Sequence, residues 1–239
     1  MELRALVVVL AACSGSKAKL EDAKPIVHPG DAAVARADAP PAGPYRVDAK
    51  GARGDASVRV EWHDVSLEAR APGPCGPTVA PTTMWGIPDT VVTIAADHGV
   101  AVPARAPRVV LDRCLRPAVQ VATGSLTVAS GLVQPAKLTI AHDAGPPVSV
   151  ELPIAGHEVE VALEPGSYTL AADGTRAWVV AAATPYTAVT DGSGVAVLRD
   201  VPTGTYPVTA WSPASGRSAK GEVTVAAGQL AEVTLQLQP

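Results

Sequence analysis

The chain has few of the residues that usually fill a large core or hold a soft metal. Its 239 residues include no phenylalanine and only 3% aromatic side chains, so aliphatic residues must fill the interior around four tryptophans and four tyrosines. Methionine is scarce too, because Met84 is the only one beyond the initiator. The net charge is −4 with no block of basic residues, which argues against a nucleic-acid partner.

Signatures of common catalytic sites are also missing. The sequence has no G-x-S-x-G nucleophile elbow, no G-x-x-x-x-G-K phosphate loop and no H-E-x-x-H zinc motif. Asp191 and Asp200 fall at predicted turns, where an aspartate commonly bonds its own backbone, so turn formation accounts for both. We therefore expect a protein that is not an enzyme and that needs no cofactor.

The N-terminus contains a targeting signal. Residues 1–4 give a charged start, residues 5–10 form a short apolar run, and the sequence Leu-Ala-Ala-Cys ends at Cys13. This tetrapeptide resembles a bacterial lipobox, which implies cleavage before Cys13 and lipidation of its sulfur. A plain secretory signal or a chance apolar start is the alternative. We expect residues 1–13 to be a lipoprotein signal peptide, and the protein to be exported and lipid-anchored to the envelope, with Ser14 favouring the outer membrane.

The next segment, residues 14–55, is rich in alanine, proline, aspartate and lysine. A stretch with so few large apolar side chains cannot bury enough surface to offset the entropy lost on ordering. We predict a flexible linker between the lipid anchor and the folded part of the chain.

Strand-like alternation recurs from Ala56 onward, and helical periodicity is almost absent. Short strands separated by glycine and proline are typical of sandwiches and barrels, so the predicted fold class is all-β. The predicted strands cover residues 57–62, 90–94, 125–128, 137–140, 148–152, 158–163 and 167–171.

The most specific pattern lies in residues 185–211. Residues 186–190 alternate as a strand, residues 191–194 supply a tight turn, and residues 200–204 supply the next reversal, which together predict an antiparallel meander. The pattern resembles the carboxypeptidase regulatory-like domains, which are small transthyretin-like β-sandwiches. This resemblance implies such a domain over residues 184–239. It identifies a fold and does not point to a particular reaction. Its fold-defining turn positions are Asp191, Gly194, Pro202, Gly204 and Tyr206.

Two further features concern the strands near the C-terminus. Pro207 has no amide hydrogen and falls inside a predicted strand, so we expect that strand to lie at an edge or to be bulged there. Residues 221–238 are expected to form a last hairpin that turns at residues 226–229. A protein partner in the envelope could add a strand to such an edge.

The cysteines are informative because they are so few. Once Cys13 carries lipid, Cys75 and Cys114 remain as an even pair in an exported protein, which favours a disulfide between them. Two free thiols or a metal thiolate are the alternative. No histidine or second cysteine stands at ligand spacing from either one, which disfavours a metal.

A weaker resemblance covers residues 56–183. The Cys-Gly pair at residues 75–76, the Val-Val pair at 91–92, and the segments 111–117 and 124–128 follow the order seen in cupredoxin-like modules. The resemblance implies a cupredoxin-like β-sandwich ahead of the regulatory-like domain.

The copper ligands of that family are not retained. Residues 129–131 read Ala-Ser-Gly where a ligand histidine would follow, and Val179 stands in place of methionine. A mononuclear copper site needs two imidazoles, a thiolate and usually a thioether, so we predict no metal site of that type. Weak candidates for an unorthodox site are His63, His98, His142 and His157.

The tryptophans are a last group of candidates. Each could stack on a sugar, but in a chain without phenylalanine they are expected to fill the core. These are Trp62, Trp85, Trp178 and Trp211.

Taken together, the sequence favours a non-catalytic, lipid-anchored envelope protein with a binding or scaffolding role. Its expected partners are the membrane, through the lipid, and an envelope protein. The alternative is a periplasmic copper-binding or electron-transfer protein with unorthodox ligands.

Overall fold

A computed structural model describes residues 45–63, 75, 84–143 and 145–238. Cys13 and most of the predicted linker lie outside these residues. The secondary structure of the described residues consists of strands, turns and bends, which confirms the predicted all-β class. They contain no helix with the length and apolarity that crossing a membrane requires.

Eighteen strands are described. The first nine are β1 (Arg46–Val47), β2 (Arg53–Glu61), β3 (Val91–Ile94), β4 (His98–Gly99), β5 (Arg108–Asp112), β6 (Cys114–Arg116), β7 (Val119–Ala122), β8 (Ser125–Ser130) and β9 (Ala136–His142). The others are β10 (Val148–Leu152), β11 (Glu158–Ala162), β12 (Gly166–Ala172), β13 (Thr175–Ala181), β14 (Thr187–Val189), β15 (Val195–Pro202), β16 (Gly204–Ser212), β17 (Arg217–Val225) and β18 (Leu230–Gln236).

Each of the seven strands predicted in the first part of the chain overlaps an observed one: β2, β3 and β8 to β12. Strands β1, β4, β5, β6, β7 and β13 were not predicted. In β13, residues 177–181 are all apolar, so hydrophobicity does not alternate along the sequence there although burial does. Val119 and Val180, which lie outside the core of their own sheets, pack in a small cluster with Trp211.

The first sandwich, as we call it here, is made of strands from both ends of the described chain. One sheet has the order β14-β3-β16-β17 and the other has the order β15-β2-β18. Strand β2 alternates strictly, with Ala56, Val58 and Val60 fully buried and the odd-numbered residues facing outward. The core between the sheets holds eighteen buried residues, among them Tyr186, Leu198 and Leu235.

The second sandwich is formed by β5 to β13 and is inserted between β4 and β14. Its sheets have the orders β10-β9-β12-β13-β7 and β11-β8-β5-β6. Its core is separate from the first one and includes Leu111, Leu126, Leu138 and Leu170. This core lacks aromatic side chains apart from Tyr168, as the composition requires.

The two cores do not follow the division expected between residues 183 and 184. Strands β2 and β3, which precede that point, pack in one core with β14 to β18, which follow it. The reason is strand pairing: β2 joins β15 and β18, and β3 joins β14 and β16. The assignment of the two segments to two families stays a prediction.

The predicted meander over residues 185–211 is wrong. Strands β14, β15 and β16 do follow one another through tight turns, but they alternate between the two sheets of the first sandwich. Strands β14 and β16 pair with β3, and β15 pairs with β2, so no two strands of the predicted meander pair with each other. Both connections therefore pass from one sheet to the other. As a result, Tyr186, Ala196 and Val208 lie in the same core between the sheets.

The predicted last hairpin is also wrong, for the same reason. Strand β17 pairs with β16, whereas β18 joins the other sheet parallel to β2. Pro207 lies in an interior strand and not at an edge, because β16 pairs with both β3 and β17. Pro207 comes just before Val208, where the pairing with β3 begins, and its carbonyl accepts a hydrogen bond from Ala95 N at 2.9 Å.

The C-terminal end of the predicted linker is ordered structure. The Tyr45 hydroxyl donates to the Val100 carbonyl at 2.6 Å, and β1 pairs in parallel with β4. Strand β2 begins at Arg53, three residues before the expected boundary at Ala56. Composition did not show this because Gly54 and Ala56 are the small inward residues of an alternating strand.

The predicted disulfide between Cys75 and Cys114 is confirmed. The two Cα atoms are 5.2 Å apart, within the range of disulfides, and 39 positions separate the residues in sequence. Cys114 is buried in β6 of the second sandwich. The bond therefore ties Cys75 to the second sandwich.

The double substitution Cys75→Ser and Cys114→Ser should lower the free energy of unfolding by about 4 kcal/mol, because it frees a long loop in the unfolded chain. Urea unfolding of the two proteins measures this. Wild-type protein unfolded with reductant is the control and should match the variant. Equal stability of the oxidised wild type and the variant would contradict the prediction.

The turn after β14 is organised by Asp191, as the sequence pattern predicted. Its carboxylate accepts hydrogen bonds from Ser193 Oγ at 2.6 Å, Ser193 N at 2.8 Å and Val195 N at 3.1 Å. These bonds, that from Ser193 Oγ first, hold the pKa of Asp191 below its usual value. Gly194 and Gly204 adopt the positive φ angles of 80° and 151° expected of turn glycines.

Asp191→Asn keeps an acceptor oxygen and removes the charge. Because the folded state lowers the pKa of Asp191, its charge stabilises the protein above about pH 4 and this contribution is lost as the pH falls through the folded-state pKa. We expect the variant to be less stable at pH 7 by at most about 1 kcal/mol and the difference to shrink toward pH 2. Urea unfolding across this pH range tests it. Asp143→Asn, another exposed aspartate, is the control, and a pH-independent difference would contradict the prediction.

Candidate functional site

Charged and polar side chains line the solvent face of the first sandwich where β2 ends. Arg59 Nε lies 2.5 Å from Glu61 Oε1, and His63 Nε2 lies 2.8 Å from Glu61 Oε2. The hydrogen bonds from Arg59 and His63 hold the pKa of Glu61 below its usual value. The ionised Glu61 carboxylate therefore holds the Arg59 and His63 side chains in place. The Glu61 side chain itself is only 16% exposed.

A short segment pairs with this end of β2. Trp62 N donates to the Trp85 carbonyl at 3.0 Å, and Ile87 N donates to the Val60 carbonyl at 2.9 Å. On its other side the segment is packed against the Asp191 turn, since a Cβ at Gly86 would collide with the Ser193 carbonyl oxygen. Residues 84–87 are therefore held between β2 and the turn.

Trp85 has an unusual backbone within this segment. Its φ angle is 66°, in the left-handed region that a bulky residue rarely adopts. Its half-buried ring contacts the exposed His63 ring, with the centroids 5.3 Å apart and the planes inclined by 56°. Backbone strain of this kind costs about 1 to 3 kcal/mol and tends to persist at functional sites.

Gln236 completes the group from the neighbouring strand. It pairs with Glu61 in the parallel register of β18 and β2, and its Nε2 lies 3.5 Å from His63 Nδ1. Arg59 also donates through Nη2 to the Met84 carbonyl at 2.6 Å, which links the network to the segment that holds Trp85. We call this set the aromatic corner: Arg59, Glu61, His63, Trp85 and Gln236.

Trp62 lies behind the aromatic corner. It packs partly buried against the first core, as expected of a tryptophan in this chain. The guanidinium carbon of Arg217 lies 4.4 Å from the centroid of its ring, a cation–π contact. This packing supports the strand end that carries Glu61 and His63.

The four histidines named as metal candidates are distributed over both sandwiches. His63 belongs to the aromatic corner, whereas His98 bonds to Asp97 at 2.8 Å beside β1. His142 stacks on Tyr168 in the second sandwich, with ring centroids 4.5 Å apart, and His157 lies in the loop before β11. In the described part of the chain, no three histidine, cysteine, aspartate or glutamate side chains form a group that could hold a metal.

The remaining sequence candidates have local roles. The hydroxyl of Tyr206 donates to the Thr203 carbonyl at 3.2 Å, next to Gly204 in the turn before β16. Pro202 ends β15, where it pairs with Arg53. The predicted lipidation site, Cys13, lies outside the described residues.

Comparison with known proteins gives a structural likeness only. No protein-family model matches the chain, and no curated protein matches it. The chain is similar to amicyanin from Paracoccus versutus (Thiobacillus versutus), with a TM-score of 0.28 and 17% identity over 38% of this chain and 97% of amicyanin. Two amicyanin variants in the Cu(I) state, one with a proline-to-glycine and one with a methionine-to-alanine substitution, give TM-scores of 0.27 at 16% identity over 38% of this chain and 98% of theirs.

Sequence reasoning named His63 as a weak metal candidate and did not single out Arg59 or Glu61. The alternation in β2 places Arg59 and Glu61 outward, and the same period extends to His63. Trp85 and Gln236 were missed as members, because they are brought to β2 by pairings that no local pattern encodes. Trp85 was expected in the core, and its left-handed backbone had no sequence signal.

The backbone strain at Trp85 can be measured with two substitutions. Trp85→Gly and Trp85→Ala both remove the ring, but only glycine adopts the left-handed conformation without a steric penalty. We expect Trp85→Gly to be the more stable of the two, by up to about 1 kcal/mol in urea unfolding.

The matched control is the same pair of substitutions at Trp178, which lies in β13 with an ordinary strand conformation. There glycine should be less stable than alanine by about 1 kcal/mol. The same order at both positions would contradict the assignment of strain to Trp85.

Proposed function

We propose that this chain is a non-catalytic, lipid-anchored protein of the bacterial envelope that binds a ligand at the aromatic corner. The observation that carries the proposal is the fixed network around Glu61 beside a strained, half-exposed tryptophan. Glu61 receives both Arg59 and His63, at 2.5 and 2.8 Å. Holding these three side chains in one geometry costs side-chain entropy, and that cost is already met before a ligand binds.

The position of the aromatic corner on the fold favours binding. Three of its polar side chains, those of Arg59, Glu61 and Gln236, stand on β2 and β18, the middle strand and an edge strand of one sheet. Side chains on strands keep a more defined geometry than side chains on loops, and preorganised sites lose less entropy when a ligand binds. Trp85 is held by Gly86, which fits tightly against the turn.

The envelope part of the proposal rests on the lipobox that ends at Cys13. Thirty-one residues, 14–44, separate Cys13 from Tyr45. Fully extended, a chain of this length spans at most about 110 Å. The folded part of the protein can therefore work at a distance from the membrane that holds the lipid.

A fractionation experiment tests the anchor and a sedimentation experiment tests binding. The full chain expressed in a bacterial host should partition with membranes and be released by detergent, and Cys13→Ser should be soluble. The purified Cys13→Ser protein should co-sediment with washed envelope fragments. Adding Trp85→Ala should weaken this association at least tenfold, about 1.4 kcal/mol, while Trp178→Ala should leave it unchanged.

Soluble wild-type protein would overturn the anchor. Equal sedimentation of the Trp85→Ala and Trp178→Ala proteins would overturn the aromatic corner as the binding site. The copper-binding alternative is separated by thermal melts with Cu(I) and Cu(II), because a metal bound by the folded state raises the melting temperature. We expect neither metal to raise the melting temperature. A rise that is complete at one metal ion per protein would favour the copper-binding alternative.

A further inference from the structure

The aromatic corner offers both hydrogen-bond donors and acceptors at its surface. The Gln236 side chain is exposed and carries a carbonyl acceptor and an amide donor. His63 is 44% exposed, and its two ring nitrogens face Glu61 and Gln236. The guanidinium of Arg59 adds donors beside them. A ligand that matches this set must itself donate and accept over a short distance.

The charges of the aromatic corner are matched among themselves. Arg59 and Glu61 are 2.5 Å apart, in a pair whose side chains are 27% and 16% exposed. Because the carboxylate is also bonded to His63, neither an anionic nor a cationic ligand finds an unpaired countercharge there. The site suits a polar ligand without net charge.

The two aromatic rings meet at an angle and do not stack face to face. The planes of Trp85 and His63 are inclined by 56° with the centroids 5.3 Å apart. Such an arrangement presents an indole surface next to a polar ring edge. A pyranose ring has a complementary form, since the C–H bonds of one face are apolar and the hydroxyl groups lie around its rim.

Few exposed apolar side chains accompany Trp85. Met84, 69% exposed, precedes it in the chain, and Val197, 51% exposed, stands opposite Ser57, two positions from Arg59 on β2. Leu230, 54% exposed, stands opposite Asp55, which is six positions and roughly 20 Å from Glu61 along the strand. A protein interface would need a large buried apolar centre, and one half-buried tryptophan with Met84 beside it is too small for that.

From these features we propose that the aromatic corner binds an uncharged oligosaccharide. One pyranose ring stacks on Trp85, and its hydroxyl groups bond to Gln236 and to the network of Glu61 and His63. This inference rests on the proposed function, because it names the ligand class of the same site.

The test uses the full chain with Cys13→Ser, titrated with β-1,4-linked hexasaccharides of glucose and of N-acetylglucosamine. Calorimetry and tryptophan fluorescence report binding. We expect saturable binding of at least one of them in the sub-millimolar range. Trp85→Ala and Gln236→Ala should each weaken it at least tenfold, and Trp178→Ala should leave the dissociation constant unchanged. The midpoint of urea unfolding for each variant verifies that the fold is intact.

The outcomes separate the two proposals. If neither hexasaccharide binds but envelope fragments still do so through Trp85, the ligand class is wrong and the binding function stands. If the protein binds neither saccharides nor envelope fragments, both proposals fail. Tighter binding of an acidic hexasaccharide, such as an oligomer of a uronic acid, would contradict the assignment of an uncharged ligand. So would equal loss of binding in Trp178→Ala.

Discussion

The first sandwich depends on the central position of β2. This strand pairs with β15 on one side and with β18 on the other, and both come from the last part of the chain. Its inward residues Ala56, Val58 and Val60 have no solvent exposure. Its outward residues Ser57 and Arg59 consequently lie between partners on both sides. The aromatic corner forms because the last outward residues of this alternation, Arg59, Glu61 and His63, lie next to Gln236 and Trp85.

This central strand also explains why local patterns predicted strands well and their arrangement badly. Alternation in residues 57–62 depends only on which side chains are apolar, so β2 could be located from sequence. The turns could be located as well, because Asp191 and Gly194 act through their own backbone. A tight turn fixes the reversal of the chain but not the sheet that the next strand joins. That choice is made by β2 and β3, more than eighty residues away.

The same distinction applies to the aromatic corner. The outward direction of Arg59 and Glu61 follows from the period of β2. The pairing of Glu61 with Gly86 and with Gln236 follows from the tertiary fold alone. Composition favoured a core role for the tryptophans, and Trp62 shows why this was reasonable, since it packs against the first core. Trp85 differs because the left-handed backbone interrupts the segment and its ring meets an outward residue, His63.

The strain at Trp85 is tolerated because the surrounding structure leaves the segment no alternative position. Gly86 has room for no side chain against the Ser193 carbonyl, and Gly194 packs in turn against Gly86. The close contact between Gly86 and Gly194 thus fixes the position of Trp85. Relaxing the φ angle of Trp85 would move Gly86 out of that contact and break the bond from Ile87 N to the Val60 carbonyl. An aliphatic residue at position 85 could fill a core without a left-handed backbone and without the close contact between Gly86 and Gly194. This constrained arrangement of Trp85 and Gly86 is the observation from which the proposed binding role of the indole ring is argued.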